Sequence, residues 1–370
     1  MAIATSSHPG IVTYFDRFPT MRSAFSLFLV PALASLAMAQ APTLQISIGV
    51  RETGFAGGIF NGTGTNGGAA GGIEWVARDV QTLVLDGTWQ QFTFNLTTDP
   101  ILAFAGASAN GILEGAFGTL EHVRILNNTG ITAPIQLWID DIQNTVTPTG
   151  GSPITTTVQN FEGFTEAQEV TFQEPSFSGS TAANLLTGST AGINNALPSR
   201  SSAYRMNFQF IDNVATRWVR ATTFNTPTGA NPQIRFDDSS VITFWMRGGE
   251  CQQDAGFFGP GTARAEMCGS GLGGGESSIY SIGGAPVGAP GLVFISLAGL
   301  PDLPFSGGTL VSGFGYQGSF AVFSDLNGAF TLPVGGSPFP VDLVVQTLFV
   351  DGSLPELLAF TNAIVARFGV

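Results

Sequence analysis

The sequence predicts an all-β protein built of sandwiches, and three observations lead to this fold class. Apolar and polar residues alternate in many short segments, which places one face of each segment on a core. Pairs such as Asp86-Gly87 and Asn327-Gly328 separate these segments at points where a turn needs a positive φ. No long amphipathic helix is evident, and the 49 glycines suit short strands joined by turns.

Residues 1–39 are predicted to be a leader that contains a secretory signal peptide over residues 21–39. Met21-Arg22 supplies the basic flank, a short apolar core follows, and Ala37-Met38-Ala39 forms a small-x-small cleavage site. The apolar core is shorter than the ~20 residues that a membrane-spanning helix needs. We therefore expect a secreted or cell-surface protein with no membrane span, whose translation starts at Met1 or Met21.

The composition excludes several classes of function. Charged residues make up 11% of the chain, and each of the 13 basic residues is arginine. A formal net charge of −13 argues against a nucleic-acid partner or an anionic membrane surface, because both repel an acidic chain. Two histidines and two cysteines are too few for a multi-histidine metalloenzyme or a cysteine-cluster zinc site. A hydrophobic content of 44% is nevertheless enough for a sizeable core.

Two breaks divide the mature chain into predicted modules. Residues 147–153 form a connector rich in proline and glycine, and residues 249–278 are predicted to be a glycine-rich linker. All five tryptophans precede the second break, and residues 279–370 are predicted to form a separate, smaller β-sandwich. The clearest alternating segments before the linker are Leu44–Val50, Phe92–Leu96, Ile135–Ile139 and Met206–Phe210.

Short motifs in residues 42–248 carry a resemblance to a known fold. Gly87–Leu96, followed by Ile135–Ile142, resembles the closing half of a galactose-binding-like jelly roll of the carbohydrate-binding-module type. Phe161-Glu162 and Ile242–Arg247 resemble the opening half of that fold. The resemblance therefore implies a jelly-roll β-sandwich followed by the smaller carboxy-terminal sandwich.

The two halves of the jelly roll occur in inverted order, with the closing half in residues 42–147 and the opening half in residues 156–248. Either they complete each other as one circularly permuted jelly roll, or they are remnants of two modules. The first arrangement is favoured, because half a sandwich would expose an apolar sheet face that the joined halves bury. It predicts that Leu44–Val50 and Ile242–Met246 share one core.

Residues 279–370 resemble a carboxy-terminal module of large secreted proteins from environmental bacteria. The similar stretches are Gly288–Leu292, Pro304–Leu310 and Leu358–Ala363. This resemblance implies no activity for the module.

The jelly-roll resemblance implies a non-catalytic protein for binding or display, with a polysaccharide or cell-envelope glycan as the favoured partner. Trp75, Trp138 and Trp218 are the candidate binding residues, because a flat indole stacks on the C–H surface of a sugar. Burial in a core is the alternative for each tryptophan. The alternative function is a structural or adhesive protein of the cell exterior or envelope. A glycoside hydrolase is less favoured, and its two carboxylates would be Glu52 and Glu74.

The same resemblance implies a structural Ca²⁺ site near the paired terminal strands. Asp141 of the Asp-Asp strand and Glu162 of the Phe-Glu strand match the ligand positions, and Ca²⁺ prefers such oxygen ligands. The alternative is that Asp141 lies at a strand end in solvent.

The cysteines and the single histidine of the mature chain lead to two further expectations. Cys251 and Cys268 have no other thiol to pair with, so an oxidising compartment favours a disulfide between them over two free thiols. His122 lies in a strand-like run, and no nucleophile elbow accompanies it, so we expect it to be a strand residue outside any catalytic triad.

Overall fold

The computed structural model describes residues 41–52, 72–114, 116–195, 200–223, 232–236, 239–256 and 259–369. The predicted signal peptide lies outside these residues. Within them, the chain forms 23 β-strands and three 3-10 turns, which confirms the predicted all-β sandwich class. No helix in this described part is long and apolar enough to cross a membrane.

The first twelve strands, in chain order, are β1 Thr43–Glu52, β2 Ile73–Val84, β3 Gln90–Asn95, β4 Ile101–Ala105, β5 Phe117–Leu126, β6 Ile135–Thr147, β7 Ile154–Gln159, β8 Thr190–Asn194, β9 Ala203–Phe208, β10 Trp218–Thr222, β11 Gln233–Arg235 and β12 Ser239–Cys251. The remaining strands are β13 Gln253–Asp254, β14 Arg264–Gly269, β15 Ser277–Gly283, β16 Pro290–Leu297, β17 Leu303–Phe305, β18 Gly308–Leu310, β19 Tyr316–Phe323, β20 Phe330–Gly335, β21 Val341–Val350, β22 Leu358–Phe360 and β23 Ile364–Phe368. The 3-10 turns are Pro175–Phe177, Ala182–Asn184 and Gly313–Gly315.

Two antiparallel sheets build the larger sandwich. The first sheet has the strand order β10-β5-β1-β2-β4, with β11 also pairing with β5. The second has the order β20-β15-β14-β12-β6-β9-β8, with β3 on β12 and β7 on β6. One continuous apolar core contains both Leu44–Val50 and Ile242–Met246 in its inward-facing positions. Strands from residues 42–147 and from residues 156–248 therefore line one core.

A smaller sandwich occupies the carboxy-terminal part of the chain. One of its layers is the third sheet of the protein, with the order β13-β23-β21-β16-β19 and with β22 on β21. This sheet shares a second core with β14, β15 and β20, which form one end of the second sheet. Residues 249–278, the predicted linker, hold the end of β12, all of β13 and β14, and the start of β15. Met267 of β14 is buried in the second core. The domain boundaries assigned from the sequence stay a prediction.

Strand β12 belongs to both sandwiches. Its residues 239–249 pair with β6, and its last two residues pair with β14. Cys251 and Cys268 lie opposite each other on β12 and β14 and are joined by a disulfide bond. A covalent bond therefore lies where the two sandwiches meet.

Candidate functional site

The three tryptophans predicted to bind sugar lie on two different surfaces. Trp75 and Trp218 lie on the outer face of the first sheet, with ring centroids 5.5 Å apart. Trp138 lies on the second sheet, where it packs against Ala203 and Cys268 outside the main core. Trp75 is 8% exposed and Trp138 is 3% exposed, whereas Trp218 is half-buried. The structure thus brings two of the three together and separates the third.

Aromatic and charged side chains surround Trp75 and Trp218, and we call this group the His122 cluster. Its members are Arg51, Trp75, Arg78, Asp79, Phe104, Glu121, His122, Arg124, Trp218 and Arg220. A β-bulge organises it: Gly49 faces His122 and Val50 faces Leu120, which leaves Glu121 as an extra residue. Glu121 and His122 consequently project together on the face away from the core, where strict alternation would separate them.

His122 is completely buried, and both ring nitrogens have partners. The indole N–H of Trp75 donates to Nε2 at 3.0 Å, so the proton of the neutral ring is on Nδ1, which donates to Glu121. Burial lowers the pKa of His122, and the positive charges of Arg220 and Arg124 lower it further. The imidazole is therefore neutral and has no lone pair left for a substrate.

Glu121 is the anionic centre of this cluster. Its Oε1 lies 3.8 Å from Nη2 of Arg51 and 3.6 Å from Nη1 of Arg220. Burial alone would raise the pKa of Glu121, but His122 and the two guanidinium groups hold it below its ordinary value. The carboxylate is therefore ionised, and cations of the same chain surround it.

Both the faces and the N–H of the Trp75 indole are used within the protein. Phe104 stacks on the ring with centroids 4.2 Å apart. The guanidinium carbons of Arg78 and Arg124 lie 4.9 Å and 5.1 Å from the ring centroid, and Asp79 binds both arginines. A sugar could reach this indole only if these neighbours moved away.

A second group, the arginine ladder, covers part of the outer face of the second sheet. It alternates aromatic rings and guanidinium groups in the order Trp138, Arg247, Trp89, Arg200, Trp245. The successive distances from guanidinium carbon to ring centroid are 4.2, 5.4, 4.6 and 5.0 Å. Each contact is a cation–π interaction, which gains strength as water is excluded.

Carboxylates fix both arginines of the ladder. Glu266 binds Arg247 through both of its oxygens, and Arg200 donates to Asp140 at 2.7 Å and to Asp141 at 2.6 Å. A bulge between β6 and β12 places Asp140 and Asp141 on the same outward face. In each sheet, one extra residue at a bulge therefore places two adjacent polar side chains beside arginines.

Asp141 and Glu162, the predicted Ca²⁺ ligands, bind two residues that are consecutive in the sequence, Arg200 and Ser201. Asp141 binds the Arg200 guanidinium, and Glu162 accepts a hydrogen bond from the Ser201 hydroxyl. In the described part of the chain, no group of three or more histidine, cysteine, aspartate or glutamate side chains could hold a metal ion. A Ca²⁺ ion would compete with a guanidinium for Asp141, and the Ca²⁺ site stays a prediction.

Replacing Asp140 by asparagine is expected to change how stability depends on pH. Burial raises the pKa of Asp140 from 3.8 to about 6. The hydrogen bond from Arg200 opposes this rise, and the negative charge of Asp141 adds to it. A carboxyl group whose pKa is higher in the folded state stabilises that state below pH ~3.8, and this stabilisation is lost as the pH rises through ~6. Asp140→Asn should therefore gain about 2 kcal/mol relative to the parent between pH 4 and 7. Urea midpoints across this range measure it, and parallel curves would contradict it.

Glu52 and Glu74, the carboxylates considered for a glycosidase, anchor the segment that follows β4. Glu74 is fully buried and accepts hydrogen bonds from the main-chain N–H groups of Asn110 at 2.8 Å and Gly111 at 3.0 Å. Glu52 accepts from the main-chain N–H of Glu114, and burial raises its pKa. Both carboxylates thus satisfy backbone donors within the protein.

The sequence did not indicate the carboxyl pair of Glu169 and Glu174. Burial and the hydrogen bond with Glu174 raise the pKa of Glu169 to about 7. Only the fold could reveal the pair, because neither residue belongs to a recognisable motif.

A shallow cleft of about 180 Å³ lies beside β11. The Arg235 guanidinium lies 5.2 Å from the centroid of the Phe117 ring at its wall. Asn144, Thr156 and Gln233 add amide and hydroxyl groups to the lining. This combination of one aromatic ring and several polar groups can bind a small polar ligand.

No protein-family model, curated protein or solved structure matches the chain.

Proposed function

We propose that this chain is a non-catalytic protein of the cell exterior or envelope, with a structural or adhesive role. The observation that carries the proposal is that aromatic and ionisable groups suited to ligand chemistry are bound to one another. Trp75 is held by His122, Phe104 and two arginines, and Trp138 lies against Arg247. These contacts are all made within the protein, and networks of this kind stabilise a fold.

The absence of catalysis is proposed from how the candidate groups are used. His122 offers neither nitrogen to a substrate, and Glu74 is bound to main-chain N–H groups. Glu169, whose pKa burial raises to about 7, is hydrogen-bonded to Glu174. The location outside the cell is proposed from the signal peptide that the sequence predicts.

The test combines a glycan array, run with and without Ca²⁺, with fractionation of the producing cells. The proposal expects the protein in the envelope or extracellular fraction, and no glycan bound through Trp75, Trp138 or Trp218. A glycan whose binding is lost in Trp218→Ala, but retained in the exposed aromatic variant Phe339→Ala, would overturn it. Release of reducing sugar from a polysaccharide would overturn the non-catalytic part.

Carbohydrate binding is the second candidate, and the cleft beside β11 favours it. The cleft is smaller than the roughly 300–1,000 Å³ of typical ligand pockets, so it would suit one sugar unit of a cell-envelope glycan. Gln233→Ala should then reduce binding of a glycan found on the array, because its exposed amide lines the cleft. Gln91→Ala, an exposed glutamine on β3, is the matched control. Equal binding by both variants would exclude the cleft.

A further inference from the structure

Strand β19 is a long, uncharged edge. Among the described residues it pairs with β16 alone, so its other side has no strand beside it. Its eight residues, Tyr316 to Phe323, include no charged residue and no proline. Apart from a bulge at Gln317, the strand is regular. An edge of this kind is a template for pairing with another strand.

Several other outer strands of the described sheets are short, charged or interrupted. Strand β13, at the opposite edge of the same sheet, has two residues and carries Asp254. Strand β20, an edge of the second sheet, contains Pro333, and β10, an edge of the first, carries Arg220. These are the features by which proteins prevent edge pairing. Strand β19 is longer than these three strands and carries no charge and no proline, although it has the bulge at Gln317.

The second core is open towards the same edge. A cavity of about 180 Å³ lies between the two sheets of the smaller sandwich and reaches Phe320 of β19 and Leu332 of β20. Phe320 is 37% exposed although its neighbour on the inner face, Val322, is buried in the core. Apolar surface at the rim of a core is stabilised when another apolar surface covers it.

The charge distribution indicates a second copy of the chain as the partner. The whole chain has a net charge of −13, so most surfaces of two copies repel each other. Between Glu276 and Asp325 the only charged residue is Asp302. Two copies that meet along β19 thus avoid the repulsion that they meet elsewhere.

We propose that two copies of this chain associate through β19. The two strands pair antiparallel about a two-fold axis, so that the third sheet continues from one copy into the other. Phe320 and Val322 of each copy then extend the apolar layer under the joined sheet. Ser319 and Ala321, which are exposed on the opposite face, lie near their counterparts across the axis.

Sedimentation velocity of the whole purified chain, over a concentration series, tests the proposal. The parent is expected to form a dimer that dissociates on dilution. Ser319→Lys/Ala321→Lys should weaken the dimer at least about tenfold, because like charges then face each other across the axis. Ser319→Glu/Ala321→Glu should do the same. An equimolar mixture of the two variants should form the dimer again, which a variant that fails to fold would not do.

Leu326→Lys is the control, because it adds a lysine at an 86% exposed position just beyond the strand. It should leave the dimer unchanged. A parent chain that stays monomeric throughout the series overturns the proposal. A dimer that tolerates both double variants, or that is lost equally in the control, overturns it as well.

Discussion

Replacement of Gly49 by alanine is expected to destabilise the chain by about 4 kcal/mol. A Cβ atom on Gly49 would lie 2.1 Å from Cε1 and 2.3 Å from Nδ1 of His122, distances at which no contact is tolerated. The ring would have to leave its pocket and lose its hydrogen bonds to Trp75 and Glu121. Urea unfolding followed by tryptophan fluorescence measures the loss.

Two further variants separate this effect from a general intolerance of alanine. Gly188→Ala should be nearly neutral, because a Cβ there meets nothing within 4 Å. In a His122→Ala background, Gly49→Ala should cost little, since the obstructing ring is gone. If Gly49→Ala costs as much without the imidazole as with it, the steric explanation is wrong.

Replacement of Arg247 by leucine is expected to have a comparably large effect, a loss of about 3–5 kcal/mol. Arg247 is 2% exposed, lies between Trp89 and Trp138, and binds Glu266 through two hydrogen bonds. Its removal leaves the Glu266 carboxylate, itself only 14% exposed, without its cation. Chemical denaturation at neutral pH gives the value.

A surface arginine in a similar pair provides the control. Arg217 donates two hydrogen bonds to Asp212, at 3.0 Å and 2.6 Å, but both side chains are about one third exposed. Arg217→Leu should therefore have a much smaller effect. The double variant Arg247→Leu/Glu266→Leu should recover part of the lost stability, because it removes the uncompensated charge. No recovery would mean that the aromatic contacts dominate.

Alternation in the sequence predicts the core strands well. Leu44, Ile46 and Ile48 of β1 and Leu137 and Ile139 of β6 are buried in the main core, as their period of two indicates. Strands from both predicted halves of the larger module line this core. The galactose-binding-like resemblance, the sugar ligand and the Ca²⁺ ion stay predictions.

The sequence could not predict the two polar clusters, because both depend on bulges. One extra residue at Glu121 and one at Asp140–Asp141 turn adjacent side chains to the same face, and alternation alone does not foresee this. A weak signal exists in the three-residue spacing of Leu120 and Val123, which are both core residues. The ladder also joins Arg200 and Arg247, which are far apart in the sequence, so only the fold brings them together.

The lack of lysine is the compositional signal of these clusters. Six arginines, Arg78, Arg124, Arg200, Arg220, Arg235 and Arg247, lie over aromatic rings. A planar guanidinium can stack on a ring and bind a carboxylate with its edge at the same time, and an ammonium group cannot. Where a cation both stacks on a ring and binds a carboxylate, arginine therefore stabilises the fold more than lysine would.

The strand common to both sandwiches has a mechanical consequence. Strand β12 pairs first with β6 and then with β14, and the disulfide between Cys251 and Cys268 joins its end to β14. The two sandwiches are therefore expected to resist rotation about this junction. Tension applied to the carboxy-terminal sandwich would pass directly into the larger one. The angle between the two sandwiches would then change little under load.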